Sequence, residues 1–265
     1  MKYNFQEHGL EIIRNAIPED EIELALKDLD TFYSKGNGSR VVNLHMDSAN
    51  ILNIISKPAI YDWIEKNCFK NPMIYTTLTF QKGTQQPIHR DSPHFLTWPK
   101  NHFIGVWYAL EDVTLDNGCL RYLVGGHKID DRCGRAMAKM LYPDKKRLDN
   151  AEIDNCMNTY QLEVMELCED AGCEVEQAVM KKGDVLIWHA LLPHGGSPIK
   201  DISLTRKSIV AHCVPVDTRV YNARHFFNPE FEGEHLPKHP ITCLQLPTKW
   251  WLQKQPPAFF QEKYV

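Results

Sequence analysis

The chain carries two hydrophobic rhythms. In its first third apolar residues recur three or four apart. Ile22, Leu26, Leu29 and Phe32/Tyr33 fall on one face of a 3.6-residue period and Gly36 follows as a stop, which predicts a helix. A second helix is predicted from Ser56, with Pro58 in its first turn, where no intrahelical N–H is lost, and Ile60 and Ile64 on one face. From Met73 the rhythm shortens. Met73–Lys82, Phe103–Leu110, Cys119–Val124, Val175–Met180, Asp184–His189 and Lys207–Val214 are rich in β-branched and aromatic residues, and Gly-, Asn- and Asp-bearing turns separate them. Short strands without a βαβ alternation predict an antiparallel sandwich or barrel, mainly β, with the N-terminal helices covering its outside.

The stretch from Lys128 to Ala178 interrupts this pattern. It is strongly charged and predicted helical around Ala136–Leu141 and Tyr160–Cys168; a long insertion between strands is either decoration or an active-site lid. Beyond Asp217 come many prolines and aromatics, among them Phe226, Phe227, Phe231, Trp250, Trp251, Phe259 and Phe260, so the tail is expected to wrap the domain. The organisation expected is one domain over residues 1–265: a helical part at 1–72, a β core at 73–127 and 174–216, an insertion or lid at 128–173, and a wrapping tail at 217–265.

Composition narrows the class. With 265 residues, 43% hydrophobic and 24% charged, the chain has ample length for a core. Its formal net charge of −4 offers no basic field for nucleic acid or an anionic membrane. No apolar run approaches the roughly 20 residues of a membrane span, and polar residues stand where a signal peptide needs apolar ones, so a cytoplasmic protein is expected. The 8 cysteines include no Cys-x-x-Cys pair and read as free thiols of a reducing compartment rather than a zinc site.

The histidines are more informative. In Gln86-Pro87-Ile88-His89-Arg90-Asp91, an extended backbone puts His89 and Asp91 on one face, two adjacent corners of a metal coordination sphere. The segment Lys182-Gly183-Asp184 to His189 reads as a tight turn and a buried strand, followed by a return carrying His194. Either His189 or His194 can complete the set. His194 is better placed, because Gly195 and Gly196 give the backbone room beside a bound group. Arg206 and Ser208 share a strand face, and an Arg pointing into a barrel needs an anion; a dicarboxylate matches its fork. Two imidazoles and one carboxylate with open positions opposite form the facial triad of non-haem Fe(II) oxygenases.

At these residues the chain resembles the phytanoyl-CoA dioxygenase family of Fe(II)/2-oxoglutarate oxygenases, roughly from Met73 to Val214. The resemblance extends beyond the triad to Trp107-Tyr108-Ala109-Leu110-Glu111-Asp112-Val113, Asn117-Gly118-Cys119-Leu120 and Val124-Gly125-Gly126-His127-Lys128. It implies a double-stranded β-helix, with His89, Asp91 and His194 binding iron. Arg206 would hold the distal carboxylate of 2-oxoglutarate, with Ser208 beside it and Trp107 and Leu78 lining the co-substrate pocket. One departure is Gly196, where a serine contacting the co-substrate is common; Ser197 comes one residue late. The retained Asp91 disfavours halogenation. The implied reaction uses dioxygen, turns 2-oxoglutarate into succinate and CO2, and hydroxylates, desaturates or cyclises an unactivated C–H of a small molecule. Alternatives are a peptide hydroxylase of the same fold and a non-catalytic metal-binding cupin-like protein. His94, Trp98 and His189 are expected to face substrate. The expected partners are a small molecule and no nucleic acid or membrane, with the chain a monomer or homodimer.

Overall fold

Strands β5 (Ile104–Ala109) and β8 (Val185–His189) are almost wholly apolar because both of their faces are covered. They occupy the middle of a six-stranded antiparallel sheet whose order is β1 (Leu10–Ile13), β8, β5, β10 (Ser208–Pro215), β3 (Pro72–Phe80) and β2 (Arg40–Val42). The computed structural model describes residues 3–36, 40–216 and 218–230.

One face of this sheet presents Val106, Tyr108, Val185, Ile187, Ile209 and Ala211 to a helical layer. There α2 (Glu19–Tyr33) buries Ile22, Ala25, Leu29 and Tyr33, and α4 (Pro58–Asn67) starts on the proline and buries Ile60 and Ile64. Both helices match the predicted period. Between them α3 (Ala49–Ile55) is capped by Ser48, whose hydroxyl accepts from the Ile51 N–H at 3.0 Å. A one-turn helix, α1 (Phe5–His8), precedes β1.

The alternate residues Trp107, Ala109, Leu186 and Trp188 point the other way, towards a three-stranded antiparallel sheet of β7 (Val175–Ala178), β6 (Leu120–Leu123) and β9 (His194–Gly196). Two facing sheets of this kind make the expected double-stranded β-helix, and the cavity between them opens at one end. A further pair, β4 (Leu96–Trp98) with β11 (Arg219–Tyr221), flanks that end.

The insertion consists of α5 (Gly134–Leu141) and α6 (Asn150–Asp170). α6 is far longer than predicted. Its N-terminus carries a capping box between Asp149 and Glu152, a signal that the reading of Tyr160–Cys168 alone passed over. Its buried stripe of Ile153, Cys156, Tyr160, Val164 and Cys168 packs against Tyr221, Phe226 and Phe227, the last two on and just after α7 (Ala223–Phe226). None of the residues lining the cavity comes from 128–173, so among the described residues the insertion buttresses the barrel from outside. Of the aromatics on which the expectation of a wrapping tail rested, Tyr221, Phe226 and Phe227 are buried against α6, while Phe231, Trp250, Trp251, Phe259 and Phe260 lie outside the described residues. The described cysteines are free thiols, and no described helix is long and apolar enough to cross a membrane.

Candidate metal and co-substrate site

His89 is held in place by His194. The two residues form an isolated antiparallel bridge in which each backbone N–H donates to the other's carbonyl at 2.9 Å. The bridge lays the first-motif segment alongside β9. Beyond it the chain turns, with the N–H groups of His94 and Phe95 donating to the Asp91 carbonyl at 2.8 and 3.1 Å, and the turn brings the Asp91 carboxylate back between the imidazoles. His89 Nε2 is 3.5 Å from Asp91 Oδ1, and His194 Nε2 is 3.7 Å from Asp91 Oδ2. One ligand atom from each of the three residues lies within 4.8 Å of the others, and this is the one such His/Cys/Asp/Glu cluster among the described residues.

The second nitrogens decide whether the set suits a metal. His89 Nδ1 donates to the Pro87 carbonyl at 2.8 Å, and His194 Nδ1 to the Leu192 carbonyl at 2.9 Å. Each carbonyl fixes the proton on Nδ1 and leaves the Nε2 lone pair facing the other ligands. Electrostatics point the same way for His194 and Asp91, and the opposite way for His89. Burial drives the His194 pKa down to about 4, so the ring is neutral. Burial alone would raise Asp91, but the histidines around it, His194 foremost, hold its carboxyl well below the ordinary range. Burial also works against a charged His89, and the hydrogen bond and charge of Asp91 outweigh it, leaving that pKa raised. Two imidazole nitrogens and a carboxylate suit a first-row divalent metal such as iron.

Both glycines after His194 line the cavity, as expected of residues that leave room beside a bound group, and they serve a second purpose. A Cβ on Gly195 would stand 2.7 Å from the Gln86 carbonyl oxygen, and one on Gly196 2.8 Å from the Gln85 nitrogen. The room a Cβ would take is filled by the backbone that carries His89. This also accounts for Ser197 arriving one residue late: a serine at 196 has no space. The Ser197 hydroxyl instead accepts from Gln177 at 2.9 Å, away from the cavity lining.

The triad opens into a cavity of about 330 Å³ between the sheets. Leu78, Trp107, Arg206 and His94, all expected at the site, line it. Arg206 is buried beneath β6, its Cζ 4.8 Å from the centre of the Trp107 ring. Its Nη1 donates to the Gly118 carbonyl, its Nε has no partner, and no carboxylate of the described residues lies within 4.0 Å. Burial pulls its pKa down to about 10, so the guanidinium is still charged at neutral pH. An unneutralised cation in an apolar wall calls for an anion from outside the chain. Ser208 is fully buried beside it with an unpartnered Oγ, and is not among the lining residues.

Two expected substrate-facing residues lie elsewhere. Trp98 packs with the α6 cluster. His189, at the end of β8, has its ring 5.8 Å from that of Phe5 and 5.2 Å from that of His127, so it braces the N-terminal turn; burial takes its pKa to about 4. His212 also lines the cavity, with Nε2 3.3 Å from Asp91 Oδ2. Arg40, Thr84, Gln86 and Phe95 join it there.

Arg90, between two of the triad residues, is fully buried. Its Nη2 donates to the carbonyls of Gly126 and Ile129 at 2.8 Å each, which ties the first motif to the loop entering the insertion. Its backbone is clasped by α6: the Arg90 N–H donates to Gln161 Oε1 at 2.8 Å, and Gln161 Nε2 donates to the Arg90 carbonyl at 3.1 Å.

Residues 5–201 match the family model of phytanoyl-CoA dioxygenase (PhyH). The chain belongs to the phytanoyl-CoA dioxygenase family. Human peroxisomal phytanoyl-CoA dioxygenase is 22% identical over 87% of this chain and 72% of its own length, and the rat protein 23% identical over 78% and 65%. Among solved structures, the non-haem alpha-ketoglutarate-dependent epimerase SnoN from nogalamycin biosynthesis has the same fold, with a TM-score of 0.63, 14% identity and 89% of each chain covered. The carbocyclase SnoK from the same biosynthesis gives 0.60 and 16%, over 82% of this chain and 84% of its own. SnoN has been seen in complex with Fe3+, alpha ketoglutarate and nogalamycin RO. Family membership makes this phytanoyl-CoA dioxygenase relative an oxygenase-type enzyme, and its His-Asp-His set fits the iron of such enzymes.

Proposed function

We propose that the protein is an Fe(II)- and 2-oxoglutarate-dependent oxygenase acting on a C–H bond of a small molecule, with hydroxylation, desaturation or cyclisation as the outcome. The observation that carries this reading is the pairing, in one cavity, of a metal-ready triad with a buried guanidinium that has no anion of its own.

His89, Asp91 and His194 would hold the iron, each imidazole presenting Nε2 while its Nδ1–H is anchored on a backbone carbonyl. Arg206 would take the distal carboxylate of 2-oxoglutarate as a bidentate, charge-assisted pair, with the Trp107 ring and Leu78 as apolar walls. When bound together, ferrous iron, 2-oxoglutarate and dioxygen supply the oxidising power that breaks an unactivated C–H and releases succinate and CO2. The chain's own part is to orient and to keep dry. Trp188, Phe95 and Val210 exclude water from the wall of the cavity. Arg40, His94, Gln86 and Thr84, the polar side chains of the lining outside the triad, Arg206 and His212, are left to meet the substrate. A cavity of about 330 Å³ is of the size that takes a small organic molecule rather than a folded partner.

Calorimetry with 2-oxoglutarate on the Mn(II)-loaded protein tests the reading. Wild type should bind one equivalent, and Arg206→Ala should bind it at least roughly 30-fold more weakly. Binding unaffected by Arg206→Ala would sink the co-substrate assignment.

A further inference from the structure

His212 has an unusual setting. It lies on β10 opposite Gly105 of β5, and Gly105 in turn lies opposite Trp188 of β8. A Cβ at Gly105 would come within 2.0 Å of the Trp188 ring, so the indole lies flat on the glycine and reaches His212, ring centres 6.0 Å apart and nearly perpendicular. On the other side the Phe95 ring lies 4.2 Å away. The imidazole thus lies 32° from the plane of Phe95 and nearly perpendicular to Trp188, buried, with Nε2 3.3 Å from Asp91 Oδ2. A β-bulge between His212 and Cys213 in the pairing with β3 marks the place where the strand is re-aimed.

The tautomer follows from the partners. His212 Nδ1 is buried with no hydrogen-bond partner. A buried N–H without an acceptor costs more than a bare lone pair, so the ring proton belongs on Nε2, facing the carboxylate. His212 is thus a donor to Asp91, whereas His89 and His194 present lone pairs.

We propose that His212 is a positioning residue that engages one oxygen of Asp91, leaves the other alone to face the metal, and so keeps the carboxylate to a single coordinating oxygen. This rests on the reading of His89, Asp91 and His194 as the metal site. A carboxylate free to turn would chelate through both oxygens and close one of the positions that co-substrate and dioxygen need. The contact does for the carboxylate what the Pro87 and Leu192 carbonyls do for the imidazoles.

The test uses Co(II) as probe, with affinity from calorimetry and the visible absorption of the bound ion as readouts. His212→Phe keeps a ring between Phe95 and Trp188 and removes the donor; His212→Gln restores an N–H at similar reach. Co(II) affinity should fall by roughly 10–100-fold and the absorption bands should move in His212→Phe, while His212→Gln stays within about threefold of wild type. Should His212→Phe not fold, His212→Asn, whose amide falls short of Oδ2, takes its place with the same expectation. A His212→Phe protein that matches wild type in affinity and spectrum overturns the proposal, as does equal weakening in His212→Phe and His212→Gln, which would assign the residue a packing role alone. Failure of wild type to bind Co(II) would instead overturn the metal-site reading.

Discussion

The side-chain amide of Gln161 pairs with the backbone of Arg90 as a neighbouring strand would, accepting from its N–H at 2.8 Å and donating to its carbonyl at 3.1 Å. A helix of the insertion thus reaches across to grip the peptide between two of the triad residues. Gln161→Ala leaves that buried N–H unpaired, which costs about 1–3 kcal/mol. The expected result is a thermal midpoint lowered by several degrees together with weaker metal binding. Gln161→Glu keeps the acceptor and loses the donor, so it should fall between the two. Metal affinity unchanged in Gln161→Ala would detach the insertion from the site.

Removing a ligand is a sterner change than removing its support. His89→Ala, Asp91→Ala and His194→Ala should each lower Mn(II) or Co(II) affinity by more than about 100-fold, since outer partners alone are worth roughly 10–100-fold. Circular dichroism should show an intact fold. Retention of stoichiometric metal in any of the three would remove that residue from the set.

Arg206→Ala should act on the co-substrate and spare the metal. Loss of one partner of a buried charge pair costs about 2–5 kcal/mol, so 2-oxoglutarate affinity should fall by roughly 30-fold or more. Co(II) affinity without co-substrate should be unchanged, and a parallel loss of both would point to a collapsed cavity.

Gly105→Ala places a methyl where the Trp188 ring lies. Overpacking of this kind costs about 1–3 kcal/mol. Because the displaced indole has its ring centre 4.9 Å from that of His194, metal binding should weaken along with the thermal midpoint. A fully stable Gly105→Ala protein would show that the wall yields.

Acid should weaken the fold before its carboxylates are protonated. His45, buried with Nδ1 2.7 Å from Thr77 Oγ1, has its pKa pushed down to about 3 by burial. The unfolded chain takes up this proton near pH 6.5 and the native state refuses it, so the stability is whole above that value and drains as pH falls towards 3. The slope is at most about 1.4 kcal/mol per pH unit for this group. His189, with its pKa near 4, adds in the same direction. Urea midpoints at pH 7.5 and 5.0 should differ accordingly, and the difference should shrink in His45→Gln. Equal midpoints in wild type would refute the assignment.

The strands of the barrel were legible because burial on both faces writes an unbroken apolar run, as in β5 and β8. The short edge pieces were not: β4 and β11 have three residues each, too few for a period to show. His194 was distinguishable from His189 by the glycines after it, which line the cavity and also admit the backbone of Gln85–Pro87. The contacts of His212 and Gln161 were invisible for another reason. Each acts on a residue far along the chain, through a contact that only the bulge in β10 and the docking of α6 create.

The bridge between His89 and His194 has a consequence for how the ion and the fold depend on one another. In the unfolded chain the ligand atoms are dispersed, and the set assembles only when that long-range pair closes. An ion that binds this set binds the native state and almost nothing else, so by mass action it shifts the folding equilibrium by RT ln(1 + [M]/Kd). The metal content of a preparation then counts completed molecules, and a chelator added during refolding withdraws the reward for closing the last loop.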